Sequence, residues 1–264
     1  MTRYMNRYKT IAPLLLAAAL AGCDYEKNAV QDITGAPPVA GVRFFNFGVG
    51  APGVNFYADN TKMTAISSTT GAESTTGVTS GGVGAGGFYS SIAPGSYTLS
   101  GKIAAATDKD LAISTAPATI VAGKYYSFYI SGIYNTATKN AEAFVVEDNF
   151  PAQIDFTVAY VRFVNAISNS APMTLFIKTA TGPEIAIGST VAYKGTSAFV
   201  AVPNGVYDLS TRLAGSSANA ITRGGASAVS FSSGKVYTIG SRGDMTVTST
   251  TAATRPQLDF TANR

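Results

Sequence analysis

Carboxylates, one thiol, a glycine-rich run and two isolated guanidinium groups are what this sequence offers to chemistry. No histidine occurs among the 264 residues, and Cys23 is the single cysteine. Without imidazole there is no Ser-His-Asp or Cys-His pair, no base poised near neutral pH and no imidazole metal ligand. One thiol forms neither an internal disulfide nor a thiolate zinc cluster. Gly82-Val83-Gly84-Ala85-Gly86-Gly87 fits G-x-G-x-x-G, but a dinucleotide loop must open a helix whose N-terminus faces the pyrophosphate. Here Phe88-Tyr89-Ser90-Ser91-Ile92 follows, which reads as strand, so the run is expected to be a flexible loop.

Asp108-Lys109-Asp110 and Glu147-Asp148-Asn149 are the densest acidic spots. Neither has the alternating acids and turn glycine of a calcium loop, and both read as solvated turns. A glycosidase would need two carboxyls about 5–9 Å apart, which sequence alone leaves open. Arg43 and Arg162 each sit inside an apolar run at a matching place. A charge there must face water or be paired, because burying it alone is costly. Asp155 and Asp259 are matched in the same way, so an ion pair between strands is expected to join these acids to the arginines. Tyr125, Tyr126, Phe128 and Tyr129 make one strand aromatic on both faces. Tyr126 and Tyr129 are the candidate contact surface, for stacking on sugars or docking a partner; packing of these rings against a second domain is the alternative. No catalytic residue, no metal ligand and no cofactor is expected.

The elements that position these groups are legible in composition and repetition. The chain is 46% hydrophobic, 13% charged and 11% aromatic, a balance that disfavours long surface helices. Val42-Arg43-Phe44-Phe45-Asn46 recurs as Val161-Arg162-Phe163-Val164-Asn165, and Ala51-Pro52 recurs as Ala171-Pro172. Pro94-Gly95-Ser96-Tyr97 recurs as Pro203-Asn204-Gly205-Val206-Tyr207. Ala122-Gly123-Lys124-Tyr125-Tyr126 recurs as Ser233-Gly234-Lys235-Val236-Tyr237, and Gln153-Ile154-Asp155-Phe156-Thr157 as Gln257-Leu258-Asp259-Phe260-Thr261. Arg43 and Arg162 are 119 residues apart, Tyr97 and Tyr207 only 110, so about nine extra residues lie between these landmarks in the first copy, where the glycine run falls. Such long periods mean whole domains, not solenoid units.

Within each copy, short Val/Ile/Phe/Tyr/Thr runs alternate with Gly/Pro/Asn/Ser clusters. Val54–Tyr57, Tyr97–Ile103, Tyr125–Ile130, Ala143–Val146, Tyr193–Val202 and Lys235–Ile239 are the clearest. The expected fold class is all-β: two tandem immunoglobulin-like antiparallel β-sandwich domains, residues 41–152 and 153–264. Tyr97 and Tyr207 are expected to act as tyrosine corners, ring in the core and hydroxyl on nearby backbone. The ordered landmarks resemble the bacterial envelope proteins known as domain of unknown function 4397, over about residues 41–150 and 158–250. The resemblance implies an immunoglobulin-like fold, a lipoprotein signal and tandem copies, and no activity. The chain departs from it at Phe45-Asn46-Phe47 and Val164-Asn165-Ala166, where members often read Val-His-Ala-Ser-Pro.

The opening segment has basic Arg3, Arg7 and Lys9, an apolar run from Ile11 to Ala21, and then Leu20-Ala21-Gly22-Cys23. This order describes a secretory signal, with a run too short for the ~20 residues of a spanning helix. The tetrapeptide resembles the bacterial lipobox, which implies acylation of Cys23 and removal of residues 1–22. Several acyl chains would anchor the product firmly. Residues 23–40, with Pro37-Pro38, read as a lipidated tether. Removing Arg3, Arg7 and Lys9 from 19 basic residues against 15 acidic ones leaves a net charge of +1, so no basic surface speaks for nucleic acid. The expectation is a non-enzymatic cell-envelope protein, held by lipid on the outer membrane or the periplasmic face of the inner one. It would bind or scaffold an envelope protein or polysaccharide. A carbohydrate-binding or adhesion module is the alternative, and a hydrolase working by carboxylates alone the second.

Overall fold

The computed structural model describes residues 39–64 and 75–263. The expected signal segment, the lipobox residues Leu20, Ala21, Gly22 and Cys23 and the expected tether up to residue 38 lie outside the described residues. The tether's expected end at residue 40 is too late, since Ala40 is buried and pairs with Ile92. Residues 38–264 form one compact unit. Among the described residues no helix is long and apolar enough to cross a membrane.

The first copy runs through β1 (Ala40–Asn46), β2 (Val54–Ala58), β3 (Thr61–Lys62), β4 (Gly82–Val83), β5 (Ser90–Ile92), β6 (Gly95–Ile103), β7 (Ala112–Ile120), β8 (Tyr125–Asn135) and β9 (Asn140–Glu147). The second runs through β10 (Val158–Asn165), β11 (Met173–Lys178), β12 (Glu184–Val191), β13 (Val200–Pro203), β14 (Gly205–Leu213), β15 (Asn219–Arg223), β16 (Val229–Phe231), β17 (Val236–Arg242) and β18 (Gln257–Ala262). Each copy is a two-sheet β-sandwich. In the first, the order β4-β1-β8-β9 faces β3-β2-β6-β7; in the second, β13-β10-β17-β18 faces β12-β11-β14-β15. All pairs are antiparallel except one in each copy: β1 with β8, and β10 with β17, run parallel. Hydrophobic spacing does not distinguish the two senses, since both put alternate residues on one face.

Each sandwich has its own core. Val42, Phe44, Phe56, Leu99 and Phe128 belong to the first, and Val161, Phe163, Leu175, Tyr207 and Ile239 to the second. A third cluster joins them: Phe45, Phe47, Tyr129, Phe144 and Val146 of the first copy close on Val164 and Ala166 of the second. Here the outer faces of the β1-β8-β9 and β10-β17 sheets meet. That explains the sequence of β1, Ala-Gly-Val-Arg-Phe-Phe-Asn, which is buried at every position. Val42 and Phe44 face the sandwich core, while Arg43 and Phe45 face the neighbouring copy. Phe45, Tyr129 and Phe144 stack in order, with ring centroids 4.5 and 5.0 Å apart.

One expected strand is shorter than its apolar pattern suggests. Of Tyr193–Val202 only the end, from Val200, is a strand. Lys194 adopts a left-handed φ of 66°, and Ser197 and Thr196 bind β10 through side chains. Phe163 N–H donates to Ser197 Oγ at 2.9 Å, and Thr196 Oγ1 donates to the Phe163 carbonyl at 3.1 Å. Hydroxyls thus supplement an irregular set of backbone bonds there, in which Ser197 N–H donates to the Phe163 carbonyl at 2.8 Å and Asn165 N–H to the Gly195 carbonyl at 3.1 Å. The glycine run gives β4 and then one short 3-10 turn, Gly84–Gly87, with Ala85 and Gly86 left-handed. No helix N-terminus forms for a pyrophosphate, in keeping with a loop.

Candidate functional site

The repeated tyrosines and asparagines prove to be construction elements. Tyr97 Oη donates to the Ala93 carbonyl at 3.0 Å and Tyr207 Oη to the Pro203 carbonyl at 2.8 Å, so both form the expected corner. Tyr126 and Tyr237 make a second such device five residues downstream of their partners, accepting from Val121 N–H and Ser232 N–H. Asn165 Nδ2 reaches Ser170 Oγ and the Val191 carbonyl, and its Oδ1 accepts from Ile167 N–H and Ser241 Oγ. Asn46 Nδ2 likewise donates to the Pro52 and Val78 carbonyls, tying the Ala-Pro loop to its strand.

Tyr126 and Tyr129, singled out as a contact surface, are not at a surface. Tyr126 is 6% exposed and packs into the first core, and Tyr129 is 1% exposed inside the contact between the copies. The reason is that β8 lies in the middle of its sheet, covered on one face by its own sandwich and on the other by the second copy. Burial pushes the Tyr129 hydroxyl up to about 12.

The arginines are paired differently from the expectation. Arg43 is 2% and Arg162 1% exposed, both on the seam. The carboxylate that meets Arg162 is Asp148, just after β9, itself 3% exposed. Arg162 also donates from Nε to Thr238 Oγ1 at 3.0 Å and from Nη1 to the Glu147 carbonyl at 3.3 Å. Asp148 Oδ2 accepts in addition from Tyr89 Oη at 2.6 Å and Ser127 Oγ at 2.8 Å. Among the described residues no carboxylate pairs with Arg43. Its guanidinium lies 4.1 Å over the Tyr89 ring, Nη2 reaches the Asn263 carbonyl at 3.5 Å, and Nε and Nη1 have no partner. Asp155 is instead exposed; hydrogen bonds from the Thr157 hydroxyl and N–H hold its carboxyl below the ordinary range. Asp259 pairs with Arg242. The matched acids therefore serve local ends, and only the three-dimensional seam brings Asp148 to Arg162. Burial first, and the Asp148 charge second, raise the Tyr89 hydroxyl far above its usual value.

Of the acidic turns, Asp108 binds Lys139 at 2.6 Å and Glu147 binds Lys124 at 2.8 Å. Among the described residues no group of three or more Cys, Asp and Glu is placed to hold a metal ion. A groove of about 430 Å³ lies on the outer sheet of the second sandwich, at a place the sequence did not single out. Register places Glu184, Lys178 and Asp208 side by side across β12, β11 and β14. The next row inward is Ala186, Phe176, Ser210 and Thr222, and beyond it Arg212 stands opposite Asn219. Long charged side chains thus wall a floor in which Ala186, Ser210 and Thr222 are short and the Phe176 ring is covered by Arg212. Arg212 binds Glu184 at 2.7 Å and Asn219 Oδ1 at 3.1 Å and covers the Phe176 ring at 4.2 Å. Asp208 Oδ1 accepts from Gly225 N–H at 2.9 Å. Two acids therefore share a cleft, each already held by a donor.

No family model and no curated protein matches the chain. Among solved structures it is similar to the Bacillus anthracis TIE protein, at 15% identity and a TM-score of 0.25, over 78% of this chain and 34% of that one. The chain thus spans about a third of that protein, and the likeness carries no argument about function.

Proposed function

We propose that this is a lipid-anchored protein of the bacterial cell envelope that acts by binding or scaffolding and catalyses no reaction. The observation that carries the reading is the position of Cys23, the single cysteine, in Leu20-Ala21-Gly22-Cys23 at the end of a short apolar run behind three basic residues. Acylation there would fix the chain to the outer membrane or the periplasmic face of the inner one, and residues 24–38 would hold the sandwiches off the lipid. The placement of the chemistry-bearing groups supports the rest: the buried arginines, Asp148 and the repeated tyrosines are engaged in joining strands and copies. Binding would fall to surface loops and outer sheet faces, with an envelope protein or polysaccharide as partner. In cells fed labelled palmitate, the wild-type chain takes up label and is shortened, and Cys23→Ala accumulates as an unlabelled precursor. Normal shortening of Cys23→Ala would overturn the anchor. In-cell crosslinking with mass spectrometry then identifies the partner.

A further inference from the structure

We infer that the groove on the outer sheet of the second sandwich is a binding site for a neutral saccharide. This goes beyond the anchoring reading and holds whether or not Cys23 is acylated. Its volume, about 430 Å³, falls within the roughly 300–1,000 Å³ of small-ligand clefts. The lining selects the ligand class. Glu184 and Asp208 repel an anion, while Lys178 and Arg223 on the same surface repel a metal cation. With Arg212 on Glu184, three positive groups stand beside two negative ones, and this near balance gives a charged polymer little net attraction. An apolar ligand would strip water from carboxylates, an ammonium and an amide without replacing those hydrogen bonds. A sugar hydroxyl both donates and accepts, and a wall of carboxylate, ammonium, amide and hydroxyl groups matches it.

Some of these groups are held ready and others are free. Asp208 is fixed by Gly225 N–H and lies flat against Gly224, where a Cβ would stand 2.5 Å from Oδ1. Asn219 Oδ1 is turned by Arg212, which leaves its amide hydrogens for a ligand. The Ser210 and Thr222 hydroxyls and the Lys178 ammonium make no hydrogen bond among the described residues.

The first sandwich is an internal control. Alignment on Tyr97 and Tyr207 puts Thr98 where the second copy has Asp208, with Pro117, Ala116 and Asp59 in place of Gly224, Arg223 and Lys178. Asp59 there caps Thr98 N–H at 2.8 Å. The scaffold below is shared, since Lys102 covers Tyr57 as Arg212 covers Phe176, at 4.4 and 4.2 Å. The two copies share a floor and differ at the groove walls.

The test is binding of the full-length chain, in detergent, to immobilised α- and β-glucans, mannan, galactan and N-acetylglucosamine oligomers, with heparin and polygalacturonate as charged controls. The expected result is binding to at least one neutral glycan, weakened tenfold or more by Asp208→Asn and by Ser210→Ala combined with Thr222→Val. The matched change in the first copy, Thr115→Val, leaves it unaltered. Near-UV circular dichroism confirms that each variant is folded, and the Ser210/Thr222 variant decides the matter if Asp208→Asn is not. Binding to charged polymers alone, to no glycan, or to glycans with no loss in the groove variants would overturn the inference.

Discussion

Arg43 and Arg162 stand on matching strands, each three residues before a buried asparagine, and both are withdrawn from water. Their surroundings nevertheless differ. Arg162 meets Asp148, Thr238 and a backbone carbonyl; Arg43 has a ring face, one long contact to a carbonyl and two unpartnered nitrogens. The asparagines repeat the contrast. Asn165 Oδ1 accepts two hydrogen bonds, whereas Asn46 Oδ1 accepts none. The duplicated motif therefore specifies a position on the seam and not an energy. Among the described residues one carboxylate serves the joint, it lies on the second copy's arginine, and the first copy's arginine has no counter-charge.

The largest expected consequence comes from removing that carboxylate. Asp148→Asn takes from the buried Arg162 the carboxylate it meets among the described residues and should cost about 3–5 kcal/mol in denaturant unfolding. A loss below about 1 kcal/mol would mean that Asp148 does not hold the copies together.

Alkaline pH probes the same joint from its tyrosines, of which the first copy supplies Tyr89 and Tyr129. A tyrosine ionises near pH 10 in the unfolded chain, while Tyr129 keeps its proton to about 12 in the fold. The unfolded state then releases its proton first, so this stability is complete below pH 10 and is lost as pH rises towards 12. For Tyr129 alone the loss amounts to about 2–3 kcal/mol. Absorbance at ~295 nm should show these tyrosines ionising together with unfolding, and ionisation near the ordinary value in the folded protein would contradict their burial.

The tyrosine corners give a smaller contrast. Tyr207→Phe removes a hydroxyl bond from a ring that is 2% exposed and should cost about 1–1.5 kcal/mol. Tyr97→Phe removes the same bond at a solvated site and should cost less than half as much. Equal losses in thermal unfolding would show that burial does not separate the two corners.

The architecture was legible where the sequence repeats itself. The Pro-Gly-Tyr corners, the strand pattern and the glycine loop follow from local turn chemistry and alternation. The seam was not legible, because it depends on which outer faces meet. Val42-Arg43-Phe44-Phe45 reads as a strand with one misplaced charge until the second copy covers it, and Tyr129 reads as an outward ring for the same reason. One signal was present: a strand apolar on both faces needs cover on both. Asp148 looked like part of an acidic turn, since nothing in Glu147-Asp148-Asn149 says that one of its carboxylates is buried and the other half-exposed. The groove was hidden because its walls come from four strands, and no single segment carries its mixed character.

The most direct test of the account compares Arg162→Met with Arg43→Met by denaturant unfolding, each keeping an unbranched apolar stem. Arg162→Met leaves Asp148 uncompensated and should destabilise by about 3–5 kcal/mol. Arg43→Met removes two unpartnered buried nitrogens along with a ring contact, and should stay within about 1 kcal/mol of wild type. Equal losses, or a larger loss at Arg43, would contradict the assignment of Asp148 to the second copy's arginine.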